Sequence, residues 1–263
     1  MTARWHGCAT PALGWTRGPF PETLVMTTRP PIDLSSARNL ADAALQRSAL
    51  GRCLAGYSAQ TTLHVVRLQK GEHIVHAGDP FESLFLLSSG SAKAVRIGID
   101  GREQVTRFYF AEDLLGLDAL DAEVHPTSIR ALEYSVAIEV PLRRLERMGI
   151  DVRTLNEALI RKLAHELQHE QMTMLLLGST TAEERLATFL LDLGRRYAAR
   201  GYSGTEYVLK MTREDIASYL GLKLETISRG LSRFNREGTV QVEGRHISIR
   251  DRERLGRAAA WAA

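Results

Sequence analysis

Cysteine is scarce in this chain: Cys8 and Cys53 are the two in 263 residues. So few, and so far apart, exclude a disulfide-built scaffold. They also fall short of the four thiolates that an iron–sulfur cluster takes. Long apolar runs are missing as well, so no membrane span is expected. The start of the chain lacks the unbroken apolar core of a secretory leader, which makes a cytoplasmic protein the expectation. Histidines and carboxylates do not gather at strand-compatible spacing, an argument against a metal-dependent enzyme. Nor is either charge sign in large excess: the formal net charge is +3 and the pI about 9.0. That balance suits a polyanionic partner without requiring one. What is present, 44% hydrophobic and 25% charged residues, is the make-up of a soluble globular protein with room for two domains.

The most informative stretch runs from Thr212 into the thirties of the same hundred, TREDIASYLGLKLETISRGLSRF. Thr212 with Asp215 three residues on is a capping box, so a helix should begin at Arg213. Leu220-Gly221-Leu222 reads as a tight turn, and a second helix should begin near Leu224. On that helix Leu224, Ile227, Leu231 and Phe234 share an inward face. Glu225, Ser228, Arg229 and Ser232 form the opposite stripe. This is the layout of a helix-turn-helix, in which one helix braces and the next offers polar side chains to the major groove. Arg229 suits the O6 and N7 of guanine, Glu225 the N4 amine of cytosine, and Ser228 a neighbouring base. Arg229, Arg233, Arg236, Arg245, Arg250, Arg252 and Arg254 crowd the C-terminal end, as a phosphate-contacting surface would.

At these residues the chain resembles the cyclic-AMP receptor/fumarate-nitrate regulator (CRP/FNR) superfamily, most closely the fumarate-nitrate branch with its E-x-x-S-R pattern. The resemblance implies double-stranded DNA as partner and Thr212, Arg213, Lys223, Glu225, Thr226, Ser228, Arg229 and Arg233 as the contacting set. It also implies a half-site like TTGAT, repeated as ATCAA across a palindrome. Lys223 departs from the pattern: the branch places a Thr there as helix cap, worth about 1 kcal/mol. A lysine at that position would instead suit a phosphate.

The remainder of the chain fits an α+β architecture: an N-terminal antiparallel β-roll of jelly-roll type as sensor, a long dimerisation helix, and a C-terminal winged helix-turn-helix. Residues 1–30, with Pro11, Pro19, Pro21, Pro30 and Pro31, read as a flexible tail. The span 31–145 reads as the sensor domain, with helical spacing first, over Asp33 to Leu54. Strand-like runs follow at Leu63–Leu68, Ile74–His76, Leu84–Leu87, Ala92–Arg96, Val105–Tyr109 and Val136–Val140, parted by glycine turns. The order Lys70-Gly71, Gly78-Asp79, Ser89-Gly90 and Glu112–Gly116 is similar to the sensor roll of the same superfamily. Residues 146–179 form the dimerisation helix and hinge. Leu155, Leu159, Leu163 and Leu167 recur every fourth residue there, a narrow stripe that needs a partner helix. A homodimer through Leu155 to Leu175 is expected, with packing against the roll as the alternative. Gly178-Ser179-Thr180 is the expected hinge, and Thr181 the cap of the next helix in the 180–263 domain. That helix should end near Gly201, and a wing should turn at Gly244.

What the roll would sense is less legible. In the related receptors a Glu holds the cyclic-nucleotide ribose, and an Arg-Ser or Arg-Thr pair holds the phosphate. Leu117 and His125-Pro126-Thr127 stand near those positions, so a buried phosphate would lack its guanidinium partner. Ile138 occupies the position at which the branch carries a cluster ligand in the roll. Cyclic AMP and an iron–sulfur cluster are therefore not expected, and no other cofactor is assigned. Haem stays open: His73 and His76 would lie on opposite faces of a regular strand, a poor ligand pair. His165 and His169 share a helix face, as a ligand pair or as ordinary solvated or interhelical side chains. The resemblance further implies RNA polymerase as a partner, contacted by the loop at Asp100-Gly101. A rival reading, a cupin-like metal enzyme built on the roll, lacks the ligand cluster it would need.

Overall fold

The computed structural model describes residues 64–142 and 152–259, all within one compact unit. The proposed tail, the helical stretch over Asp33 to Leu54, Cys8 and Cys53 lie outside the described residues.

Eight short strands form two four-stranded antiparallel sheets, orders β1-β8-β3-β6 and β2-β7-β4-β5. The strands are β1 (Val65–Leu68), β2 (His73–Val75), β3 (Leu84–Ser89), β4 (Ser91–Ile97), β5 (Glu103–Phe110), β6 (Leu114–Leu115), β7 (Ser128–Ala131) and β8 (Ser135–Val140). β6 and β7 are additions to the sequence reading. β6 is two residues long, and β7 alternates buried Ile129 and Ala131 with a serine and an arginine. Leu87, Ala92, Ala94, Tyr109, Leu115, Ile129 and Ala137 pack together in one cluster. Leu84, Leu86, Ile138 and Val140 pack in another, with Leu155, Ala158 and Leu159 of the long helix α1 (Val152–Ser179). That explains why β3 is apolar without alternation: both of its faces are covered. Ile138 is wholly buried there.

The leucine stripe of α1, a rod about 42 Å long at the usual helical rise, thus divides. Leu155 and Leu159 pack on the roll, whereas Ile160, Leu163, Leu167, Met174 and Leu175 are exposed. The expected hinge is shifted. α1 continues through Gly178 and Ser179, and two residues, Thr180 and Thr181, separate it from α2 (Ala182–Ala198). Ser179 and Thr180 hydroxyls donate to the carbonyls of Leu175 and Leu176, which occupies acceptors that a helix end otherwise leaves open. Arg185 donates to the carbonyls of Leu177 (2.8 Å) and Thr180 (3.1 Å), and to that of Leu220 (3.1 Å) at the end of α3 (Arg213–Leu220). Thr181 and Glu184 close a capping box on α2, as expected. Near the other end of α2, Gly194 lets another backbone approach: a Cβ there would lie 2.2 Å from the Gly204 carbonyl oxygen.

The second sheet carries the C-terminal helical half on its outer face. Val105, Phe108 and Phe110 of β5 share a continuous apolar core with Leu186, Phe189, Leu190, Ile216 and Leu220. Charges border it. Asp113 accepts from Arg196 (2.9 Å) and Arg200 (2.8 Å) and from the Phe110 amide (2.9 Å). Arg196 also lies over the Phe110 ring, 4.5 Å from its centre. Burial pushes the Asp113 carboxyl up, but the two guanidinium groups and the amide outweigh it, and the net shift is below the usual carboxylate value.

Removing that charge leaves two poorly solvated cations, so Asp113→Asn should cost roughly 3 kcal/mol of unfolding free energy. Because the native pKa is depressed, the contribution is complete above roughly pH 3.9, the unfolded value. It is lost as pH falls through the native value. Denaturant titrations at graded pH should show a shallower acid-side decline in the Asn variant than in the parent.

Candidate nucleic-acid interface

The helix-turn-helix forms as its residues dictate. Thr212 accepts from the Asp215 amide at 3.0 Å, and Asp215 accepts from the Thr212 amide at 2.8 Å. α3 therefore starts at Arg213. It stops at Gly221, whose φ of 62° is the left-handed value that a side chain resists. The Leu222 amide donates to the Ala217 carbonyl at 2.9 Å, completing the turn. α4 (Leu224–Arg236) follows. A strand missed in the sequence, β9 (Glu206–Val208), joins the wing strands β10 (Val240–Glu243) and β11 (His246–Ile249) in the order β10-β11-β9. Its three residues bury one side chain, Tyr207, too brief a pattern to read. The closing helix α5 (Arg252–Ala258) was missed for the same reason, burying Leu255 alone.

Ile227, Leu231 and Phe234 are buried as expected, but Leu224 is not: it is 38% exposed. It stands in the first turn, ahead of the point where α4 meets the core. The solvent-facing stripe gains an apolar member next to Glu225. Glu225 and Arg229 are exposed and bond to no described residue. Ser228 is half-buried and accepts from Arg213 of α3 at 3.4 Å. Thr226 is half-buried, and Thr212 and Lys223 are exposed. Arg233 is already engaged, with Glu183 at 2.5 Å and Glu237 at 2.7 Å. Arg236 belongs to the arginines expected to form a phosphate-contacting surface but not to the contacting set that the resemblance implies. It continues the Glu225–Arg229–Ser232 face one turn further, a spacing that would have identified it. Thr226, Ser228, Arg229 and Arg236 line an open recess together with Ala182 and Glu183 of α2.

Lys223 is the N-cap of α4 and makes no side-chain cap bond. The first amides of the helix thus keep free donor capacity beside an ammonium group, a local field suited to a phosphate.

A model of the Crp-like helix-turn-helix domain matches residues 184–258, and one of the cyclic nucleotide-binding domain matches residues 65–149. The transcriptional activator protein anr of Pseudomonas aeruginosa is 41% identical over 184 residues, 70% of this chain and 75% of that protein. The fumarate and nitrate reduction regulatory protein of Escherichia coli K12 is 41% identical over 192 residues, 73% of this chain and 77% of that one. Among solved structures, FixK2 from Bradyrhizobium japonicum superposes with a TM-score of 0.69 at 35% identity, covering 77% of this chain and 100% of its own.

The residues in the roll do not fit the ligands that such a domain and such relatives imply. Leu117 opens a short 3-10 helix, Leu117–Ala119. Thr127, nearly buried, gives its hydroxyl to the Asp118 carboxylate at 2.8 Å. His125, 2% exposed, has a pKa lowered by burial, and its Nδ1 finds no partner. An acid and a buried imidazole stand near where a cyclic phosphate needs a fixed cation, and His125-Pro126-Thr127 carries no arginine. For a cluster, the chain's two cysteines are half the thiolates required.

The first histidine pair departs from its sequence pattern, and the second takes the solvated and interhelical roles that its spacing also allowed. His73 and His76 do not lie on opposite faces: their rings stack with centres 4.1 Å apart. The β2–β7 pairing is irregular between His73 and Val75. The Asp79 carboxylate then takes the His76 amide at 2.7 Å, turning the chain. On α1, His165 is exposed. His169 packs toward the Tyr219 hydroxyl, 3.5 Å away, and burial followed by Arg107 and Arg196 lowers its pKa to about 4. Among the described residues, no three His, Cys, Asp or Glu side chains gather as a metal site would require.

Since α4 begins without a side-chain cap, Lys223→Thr should raise stability by about 1 kcal/mol. A higher midpoint in thermal unfolding of the purified protein checks this.

Proposed function

This chain belongs to the CRP/FNR family of transcription regulators, and from that premise we propose that it acts as a homodimer on a TTGAT-N4-ATCAA-like palindrome. The observation that carries the reading is the solvent-facing stripe of α4, where Glu225 and Arg229 stand free. Ser228 lies between them in sequence, held by Arg213. A carboxylate, a hydroxyl and a guanidinium in one helical stripe match cytosine, a neighbouring base and guanine in the major groove. Leu224, exposed beside them, adds a surface suited to a thymine methyl. Thr212, Lys223 and Arg236 supply phosphate contacts around that stripe, and Arg233 joins them if its acidic partners release it.

Dimerisation is supported by α1. Its exposed Ile160, Leu163, Leu167, Met174 and Leu175 make a run of apolar surface that a soluble monomer rarely leaves bare. A second copy of the same helix covers it symmetrically. The turn between β4 and β5 projects Ile99 fully into solvent beside Asp100 and Gly101, and we assign it the RNA polymerase contact. The site of action is the cytoplasm. No helix among the described residues is long and apolar enough to cross a membrane. Cyclic AMP and an iron–sulfur cluster form no part of the proposal, because the donor set they need is missing. The function is binding and regulation rather than catalysis.

Arg229→Ala should weaken binding to the palindrome by about 1–3 kcal/mol and relax the preference for guanine at one position of each half-site. Competition assays with singly substituted duplexes read both effects, and equal losses on specific and random DNA would remove Arg229 from base reading. Leu167→Glu should dissociate the dimer without unfolding the chain, seen as a halved mass in sedimentation equilibrium. A variant that keeps the parent mass would place the interface elsewhere.

A further inference from the structure

Lys93 lies in the middle of β4, between Ala92 and Ala94, which pack into the roll. By strand alternation its side chain leaves on the outer face of the sheet, where a lysine ordinarily reaches water. Here α3 covers it. Lys93 is 7% exposed, as is the group its ammonium meets, Asp215. The contact joins Lys93 Nζ to Asp215 Oδ1, while Oδ2 of the same carboxylate holds the Thr212 amide at 2.8 Å. One carboxylate thus closes the cap of the bracing helix and takes the only charge that the middle of β4 offers.

The grip continues along the helix. One turn further, the Ser218 hydroxyl accepts from the Val105 amide of β5 at 2.8 Å, and the Ser218 carbonyl accepts from the Gln104 side chain. From the capped end of α3, Arg213 reaches Ser228 on the reading stripe at 3.4 Å. The roll therefore holds α3 at both its cap and its second turn, and α3 in turn holds α4. None of this covers Glu225 or Arg229, which stay exposed. What the contact fixes is direction. The roll also carries the first turns of α1 through Leu155 and Leu159, so the pair links the reading helix to the body that bears the dimer stripe.

We infer that Lys93 is a positioning residue for DNA reading: through Asp215 it sets the angle at which α4 is presented, and with it the half-site spacing that the protein accepts. This rests on the homodimer reading above. Dimeric regulators read two half-sites at a separation fixed by their own geometry. A polar tie between rigid bodies selects one orientation among those that apolar packing alone would tolerate.

The test uses the full-length protein, the Lys93→Met variant and the Ser218→Ala variant. Each is measured on duplexes with two half-sites at graded spacings and on a duplex with a single half-site. Methionine keeps the length of the side chain and removes the charge, and Asp215 keeps its bonds to Thr212. The expected result is a loss of about tenfold on the best-spaced palindrome, the usual scale of coupling between separated sites. The preference among spacings should flatten, and single half-site affinity should stay at the parent level. Ser218→Ala should flatten the preference in the same direction, and it answers the question if Lys93→Met does not fold. An unchanged spacing preference in the folded variants, or an equal loss on every duplex including the single half-site, overturns the inference. Sedimentation of the parent separates the two levels: a monomer there sinks the homodimer reading itself.

Discussion

The outer face of the β2-β7-β4-β5 sheet sets a requirement that the rest of the molecule meets. Val105, Phe108 and Phe110 are apolar on the side away from the roll's interior and are buried to within a few per cent. Left wet, such aromatic and aliphatic area would cost several kcal/mol at about 25 cal/mol per Å². α2 and α3 satisfy the requirement, and the sensing and reading halves consequently share one core instead of being strung on a linker. Apolar packing is non-directional, so it alone would tolerate sliding. The ionic groups around it, Asp113 with Arg196 and Arg200, Lys93 with Asp215, and Lys210 with Glu133 at 2.8 Å, add direction.

How much of this was readable beforehand depends on the range over which each signal acts. Thr212 and Asp215, or Thr181 and Glu184, are three residues apart, and both capping boxes form as the spacing indicates. The buried trio Ile227, Leu231 and Phe234 follows the helical period. Leu224 obeys the same period yet is exposed, because a helix can extend beyond the surface it rests on and periodicity does not say where that surface ends. The leucines of α1 teach the same lesson: Leu155 and Leu167 look alike in sequence, and only the placement of the roll distinguishes a buried one from a bare one. The Lys93–Asp215 pair spans 122 residues, a separation at which no local pattern speaks. β6 escaped because it is two residues long, and β9 and α5 because each buries a single side chain, which leaves no recurrence to read.

The roll shows how a shared fold can be kept while its chemistry changes. The Asp118 carboxylate bonded to Thr127, with buried His125 beside it, makes the neighbourhood of Leu117 unsuited to a negatively charged ligand. The interior position Ile138 is given over to packing. The same architecture still serves as a platform, carrying the first turns of α1 on one sheet and the helix-turn-helix on the other.

Arg185 gives the joint between α1 and α2 its mechanical character. With the last carbonyls of the long helix and that of Leu220 gathered on one guanidinium, two intervening residues have little torsional play. The long helix then works as a crankshaft rather than a swivel. Rotation at the bare leucines thus has a route to α2 and α3 through one guanidinium, beside the route that runs through the roll.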